Sequence, residues 1–176
     1  MSVTNTDIDG CYILRHDKSI DSRGEFCRVS CCEELMDSGI EFSAFQISIA
    51  RNNKRGTIRG MHYQSYPFGE SKIISCIAGS ALLVIVDMRG ESKTFLSKCI
   101  LTTGASGDES EAVYVPKYCS VGYQTIEDDT TILYMIDEAY KVSHSVGINY
   151  LDEKLSIPWL PIEVTISEKD KGLPRI

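Results

Sequence analysis

The side chains best suited to chemistry are concentrated between Arg51 and Lys72, with His62 near the middle and basic residues on both sides. An imidazole can act as a general base or bind a metal, and arginine and lysine bind anions. Because side chains alternate along a strand, we expect His62 and Gln64 to share one face. Arg59 should then point the other way unless a bulge intervenes.

Lys72 begins the strand-like run that follows His62 after a short loop. A short connection indicates antiparallel neighbours, so we expect a cation and an imidazole to converge inside the domain. A buried lysine is costly unless a partner or a ligand compensates its charge. A second interpretation stays open here: Arg51–Arg59 is a solvated basic edge and His62 is a core histidine.

Other kinds of catalytic site find little support in the sequence. The chain has only three histidines, and Gln64 stands two residues after His62 where a metal site would want another histidine. A multi-histidine metal site is therefore not predicted. Neither a GxSxG turn nor a glycine-rich phosphate loop is present, so phosphate would have to be bound by Arg or Lys side chains.

Short strands are the elements that must position these side chains. Runs rich in β-branched and aromatic residues recur between turn-forming residues, while helices are predicted only over Cys32–Ser38 and near Lys154, before Pro158. This pattern predicts one all-β domain over residues 1–176, an antiparallel barrel or sandwich. Examples of the predicted strands are Phe45–Ala50, Gly56–Tyr63, Lys72–Ala78, Ala81–Met88, Ser97–Leu101, Ala112–Val115, Ser120–Ile126 and Thr131–Ile136.

Charge and composition narrow the partners and the compartment. The net charge of −7 argues against nucleic acid or an anionic membrane as a partner. No apolar run approaches the roughly 20 residues that a membrane helix needs. From the polar N-terminus we expect no secretory signal, and seven cysteines without a CxxC pair favour a reducing cytoplasm.

A series of motifs from Asp21 to Asp170 relates the chain to a known family. The motifs are Asp21–Phe26, Phe45-Gln46, Arg55–Gln64 with Lys72, Val86–Arg89, Ser92–Phe95, the tyrosines Tyr134 and Tyr140, Gly147-Ile148, Ile157–Trp159 and Ser167–Asp170. Their order and spacing resemble the dTDP-4-dehydrorhamnose 3,5-epimerase family. The resemblance implies a cupin-type antiparallel β-barrel (jelly roll) with a few short helices.

The resemblance also implies a reaction, which is epimerisation at C3, C5 or both of a nucleotide-linked 4-keto sugar in deoxysugar biosynthesis. A proton is removed and returned beside the C4 ketone, without a cofactor or metal. His62 matches the base, and Asp170 matches the carboxylate that holds it. Lys72 matches the cation facing the enolate oxygen, and Tyr134 the acid on the opposite face of the sugar.

Further matched residues imply how the nucleotide sugar is bound. Arg59 matches a diphosphate-binding arginine and Gln46 a nucleotide contact. Arg23 and Phe26 match residues that reach into the neighbouring subunit's site, which implies a homodimer. Tyr140 is either a further substrate contact or a structural residue.

The chain departs from the family pattern at two positions that bear on the substrate. Val121 stands where the family has a histidine near the keto oxygen, which removes a hydrogen-bond donor. This leaves open a single-centre epimerase or a non-catalytic nucleotide-sugar binder. Arg28 stands where the family usually has a glutamate near the nucleotide base, which suggests a base other than thymine. The sequence does not decide between dTDP, CDP and GDP.

Overall fold

The chain folds into β-strands and two short helices in a computed structural model, which describes residues 1–104 and 109–176. The α-helices are α1 (Cys32–Asp37) and α2 (Glu168–Lys171), and a single 3₁₀ turn spans Val142–His144. The strands are β1 (Ser2–Asn5), β2 (Tyr12–Asp21), β3 (Gly24–Cys27), β4 (Gln46–Asn52), β5 (Ile58–Gln64), β6 (Lys72–Ala78), β7 (Ser80–Asp87), β8 (Lys98–Gly104), β9 (Glu109–Val115), β10 (Cys119–Thr125), β11 (Thr130–Ile136) and β12 (Ser145–Gly147).

Two antiparallel sheets face each other. The larger sheet has seven strands in the order β1-β2-β9-β6-β11-β4, with β3 also paired to β2. The smaller sheet has five strands in the order β12-β5-β10-β7-β8. This is the predicted all-β, cupin-type jelly roll. Within the described residues, no helix is long and apolar enough to cross a membrane.

Three clusters of apolar side chains stabilise the fold. One lies between the two sheets, and one lies on the outer face of each sheet. The central core joins residues such as Ile74 and Ile132 of the larger sheet to Ile85 and Tyr123 of the smaller one. A second cluster packs α1, through Leu35, on the outside of the larger sheet. A third packs the C-terminal segment on the outside of the smaller sheet. The C-terminal segment is therefore held where it can reach the edge of the site.

All the predicted strands are present, with ends displaced by only a few residues. The helix over Cys32–Ser38 is confirmed as α1. The helix predicted near Lys154 was wrong. Asp152 Oδ1 accepts hydrogen bonds from the backbone N–H groups of Lys154 and Leu155, at 2.9 and 3.0 Å, but the segment forms only a turn. The turn ends at Ser156, whose φ of +43° lies outside the helical region. The second helix lies instead at Glu168–Lys171.

The predicted pairing of the His62 and Lys72 strands was also wrong. β5 belongs to the smaller sheet and β6 to the larger one, so the short loop between them crosses from one sheet to the other. The two side chains nevertheless line one cavity, because they face each other across the interior.

Candidate active site

A cavity of about 410 Å³ opens between the two sheets and contains the residues singled out as catalytic. His62, Lys72, Tyr134 and Asp170 all line it. The larger sheet contributes β4, β6 and β11, and the smaller sheet contributes β5 and β10. The other lining residues are Ser48, Ala50, Arg59, Glu70, Val121, Ile136, Ser167 and Lys169.

His62 and Asp170 form a base and its supporting carboxylate. His62 Nε2 lies 2.9 Å from Asp170 Oδ1, and Asp170 Oδ2 accepts a hydrogen bond from the Gly60 backbone N–H at 3.3 Å. The Asp170 side chain is buried, whereas the imidazole is 39% exposed and open to the cavity. An ionised carboxylate can only accept hydrogen bonds. His62 Nε2 therefore carries the proton, and Nδ1 keeps the lone pair that a base requires.

A bulge in β5 places Arg59 and His62 on the same wall. His62 pairs with Val121 of β10, but Arg59 pairs with Tyr123, so β5 has one extra residue between these pairs. Gly60 sits in the bulge with φ +121°, and a Cβ there would come 2.5 Å from the Gly122 Cα. The expectation that Arg59 points away from the face of His62 holds only for an unbulged strand. Here both side chains line the cavity.

Lys72 is buried in the cavity wall and paired with a carboxylate that the sequence reasoning missed. Its Nζ lies 2.7 Å from Glu70 Oε1, and the two side chains are 8% and 9% exposed. The ion pair meets the expectation that a buried lysine needs a compensating partner. Glu70 stands two residues before Lys72, and the alternation of side chains was the one signal that could have indicated it.

Tyr134 lies on β11, in the sheet opposite the one that carries His62. Burial raises the pKa of Tyr134 well above its ordinary value, and the neighbouring Tyr123 hydroxyl raises it further. Tyr134 is thus a protonated phenol at neutral pH and can donate a proton. The cavity therefore has a candidate base on one wall and a candidate acid on the other.

Asn52 links the aromatic side of the cavity to Arg59. Its Oδ1 accepts hydrogen bonds from Arg59 Nε at 2.9 Å and from the Tyr123 hydroxyl at 3.0 Å. Its amide nitrogen donates to the Thr130 carbonyl oxygen at 3.0 Å. Asn52 and Tyr123 are buried and were assigned no role from the sequence, because nothing in the local pattern shows that they meet.

The remaining predicted binding residues divide into a rim and a projecting hairpin. Gln46 begins β4, and its Oε1 accepts a hydrogen bond from the Tyr140 backbone N–H at 2.7 Å, beside the cavity residue Ile136. The hairpin of β2 and β3 carries Arg23 at its turn and Phe26, which is 74% exposed. Neither of these hairpin residues belongs to the lining formed by the described part of this chain.

Arg28 and Val121 are the two positions where the chain departs from the pattern. Arg28 follows β3, and its Nη1 lies 2.7 Å from Glu34 Oε1 of α1, so its charge is already partnered within the chain. Val121 of β10 lines the cavity beside His62, its pairing partner on the neighbouring strand β5. An isopropyl group thus occupies a wall position where a hydrogen-bonding side chain would reach the ligand.

These groups suit removal of a proton from carbon next to a carbonyl. A base takes the proton, an ammonium group stabilises the negative oxygen, and a phenol returns a proton to the other face. Within residues 1–104 and 109–176, no three His, Cys, Asp or Glu side chains gather in a way that could hold a metal ion.

Comparison with known proteins gives a consistent result. The family model described as dTDP-4-dehydrorhamnose 3,5-epimerase matches residues 5–176. A dTDP-4-dehydro-6-deoxyglucose 3-epimerase of a Streptomyces species is 33% identical over 139 residues, which cover 78% of this chain and 69% of that protein. A dTDP-4-dehydrorhamnose 3,5-epimerase of Streptomyces griseus is 27% identical over 171 residues, 96% of this chain and 84% of the relative.

Among solved structures, the fold is similar to that of dTDP-4-dehydrorhamnose 3,5-epimerase from Bacillus anthracis, described with TDP and PPi bound. The TM-score is 0.94 at 30% sequence identity, and the match covers 99% of both chains.

Proposed function

The chain belongs to the dTDP-4-dehydrorhamnose 3,5-epimerase family and is an isomerase of nucleotide-linked 4-keto sugars, and we propose that His62 and Tyr134 carry out the inversion. One observation supports this assignment most strongly. The two side chains stand on facing sheets of a single cavity that Lys72 also lines. Proton removal from one face of a sugar and proton return to the other is what inverts a carbon centre.

The step balances without an oxidant or reductant. His62 Nδ1 takes the proton from the carbon beside the C4 ketone, and the C–H electron pair moves to form an enolate. The Lys72 ammonium stabilises the enolate oxygen, while Asp170 stabilises the imidazolium that forms. The Tyr134 hydroxyl then protonates the same carbon from the other face. The imidazolium and the phenolate return to their starting states by proton exchange with water.

We propose a thymidine diphosphate sugar as the substrate. The relatives are named for dTDP-linked sugars, and the Bacillus anthracis structure is described with TDP bound. Arg59 would bind the diphosphate and Gln46 the nucleoside, with Tyr140 beside it at the rim. Arg28, which suggested a base other than thymine, pairs with Glu34 of its own chain, so its charge alone does not indicate another base. Calorimetry with dTDP, CDP and GDP tests this, since a preference for CDP or GDP would overturn the thymidine assignment.

A homodimer accounts for the hairpin and for an apolar edge strand. The outward-facing side chains of Phe45, Ile47 and Ile49, at the start of β4 and along it, are 71%, 65% and 54% exposed. An exposed apolar edge strand tends to associate with other chains, so in a native protein it is usually buried by another segment or subunit. A second copy covering it would also let Arg23 and Phe26 complete the partner's cavity. Light scattering should give twice the chain mass, and Ile47→Glu should give monomers with reduced activity, whereas a monomeric wild type would contradict the proposal.

A cytoplasmic location is proposed from the seven cysteines, all of which are free thiols. Cell fractionation followed by immunoblotting tests it, and recovery of the protein outside the cytoplasm would contradict it.

A single-centre 3-epimerase is a second candidate, favoured by Val121 and by the 3-epimerase relative from Streptomyces. The test is incubation with a dTDP-linked 4-keto-6-deoxy sugar in heavy water, followed by NMR of C3 and C5. Deuterium at both carbons indicates a 3,5-epimerase, and deuterium at C3 alone indicates the second candidate. The His62→Ala variant should lose exchange but keep nucleotide binding. Exchange at neither carbon in the wild type, with ligand bound, would establish a non-catalytic binder.

A further inference from the structure

Glu70 is a carboxylate in the sugar cavity that the mechanism above does not use. It lines the cavity, is 9% exposed, and lies 2.7 Å from the Lys72 ammonium. The cavity thus has two carboxylates, each in contact with a different catalytic group. Asp170 contacts His62, and Glu70 contacts Lys72.

The loop that carries Glu70 is fixed on both sides. Gln64 Nε2 donates a hydrogen bond to the Phe68 carbonyl oxygen at 3.1 Å, and the Ser71 backbone N–H donates to Asp137 Oδ1 at 2.6 Å. Gly69 packs so closely that an added Cβ would lie 2.2 Å from the Tyr118 ring. The residues on either side of Glu70 are therefore held in place, which suits a residue that holds another group in place.

The contact matters because a lysine is flexible. Its ammonium ends a four-carbon stem with several rotatable bonds, so burial alone does not fix the nitrogen at one point. Stabilisation of an enolate depends on a charge that is already in place when the negative oxygen develops. A displacement of about 1 Å in a catalytic group can cost about 10²-fold in rate.

We propose that Glu70 is a positioning residue that holds the Lys72 ammonium at the point of the cavity wall where the enolate oxygen forms. The proposal rests on the proposed function, because Lys72 has this role only if an enolate is made. Glu70 acts through Lys72 and need not touch the sugar itself.

The test is the Glu70→Gln variant, which keeps the size of the side chain and removes its charge. We expect kcat to fall about 10- to 100-fold while KM stays within about 3-fold, since binding by Arg59 is unchanged. In a Lys72→Met background, Glu70→Gln should cause no further loss, because the group it positions is gone. Losses that multiply in the double variant would overturn the proposal. The control is Glu153→Gln, which removes the charge of an exposed carboxylate that pairs with Arg175 at 3.5 Å and does not line the cavity, and it should leave kcat unchanged.

A second measurement does not depend on activity. In protein labelled with ¹⁵N-lysine, the Lys72 ammonium should exchange its protons slowly with water because it is buried and paired. Glu70→Gln should broaden or shift that signal, and an unchanged signal would overturn the proposal. If the wild type exchanged no carbon-bound proton while this signal behaved as expected, the proposed function would fall and the catalytic role of the contact with it, although Glu70 would still hold the Lys72 ammonium in place.

Discussion

Replacement of Asp170 by asparagine should move the imidazole proton of His62 from Nε2 to Nδ1 without changing the shape of the cavity. Asp170 Oδ2 accepts from the Gly60 N–H, and Oδ1 lies 2.9 Å from His62 Nε2. An amide has one acceptor and one donor end. If the asparagine oxygen accepts from Gly60, its NH₂ group faces Nε2, and the proton of the imidazole must move to Nδ1. The opposite orientation would set two donors against each other at Gly60, which costs about 1–3 kcal/mol.

The expected loss of activity is large because Nδ1 is the atom proposed to act as base. Loss of one charge-assisted hydrogen bond is worth about 1.5–3 kcal/mol, or roughly 10- to 150-fold in rate. Exchange of a carboxylate for an amide behind a catalytic imidazole costs about 10⁴-fold when the tautomer is also wrong. We therefore expect Asp170→Asn to lower the rate of deuterium incorporation by about 10³- to 10⁴-fold.

The assay is NMR of the carbon-bound protons of the sugar in heavy water, with dTDP affinity measured by calorimetry. Nucleotide affinity should change less than about 3-fold, since Asp170 does not contact the nucleotide in this scheme. The matched control is Glu168→Gln on the same helix, because that side chain is 88% exposed and pairs with Lys171. An Asp170→Asn enzyme that exchanges within 10-fold of wild type would refute the assignment of Nδ1 as the base.

Three further predictions follow from the same structure. Tyr134→Phe should still incorporate deuterium on the face of His62 but invert the centre about 100-fold more slowly, and sugar NMR separates the two events; equal losses would contradict the two-face scheme. Tyr123→Phe removes the hydrogen bond to Asn52 and should lower the free energy of unfolding by about 1 kcal/mol in urea titration; an unchanged midpoint would contradict it. Burial would raise the pKa of Asp87, but hydrogen bonds from Arg89, Ser92 and Thr94 outweigh burial and lower that pKa below its usual range. The unfolded chain therefore takes up a proton at higher pH than the folded one, so this stabilisation is complete above about pH 5 and is lost as the pH falls further. In Asp87→Asn, the free energy of unfolding should fall less steeply as the pH is lowered below about 5.

The strands could be predicted from the sequence because their signals are local. Lys72–Ala78 is recovered with its ends as predicted, since Gly and Ser residues bound a short run rich in isoleucine. The family motifs likewise identified His62, Lys72, Tyr134 and Asp170 as residues of one site, and the structure brings the four together in one cavity. Their roles stay predictions until the variants are made.

What could not be predicted depends on register and on long-range contacts. The bulge in β5 exists because Gly60 packs against Gly122, a contact between residues far apart in the chain. Alternation of side chains therefore placed Arg59 on the wrong face. The loop before Lys72 is short enough for a hairpin but crosses between sheets, and no local pattern distinguishes these two uses. The sequence also does not show that Arg59 and Tyr123 both donate hydrogen bonds to Asn52, because the three residues are not neighbours in the chain.

Both carboxylates of the site come from outside the strands, and this ties activity to the docking of peripheral segments. Glu70 arrives on a loop fixed by Gln64 and Asp137, and Asp170 arrives on α2 near the C-terminal end of the chain. The Ile58 backbone N–H donates to the Thr165 carbonyl oxygen at 2.8 Å, which fastens the C-terminal segment beside β5 only five residues before Asp170. The sheets place the base, the cation and the acid, whereas the loop and the tail supply the charges that orient two of them. A substitution that loosens the tail without disturbing the sheets should therefore impair proton transfer at His62 before it lowers the stability of the fold.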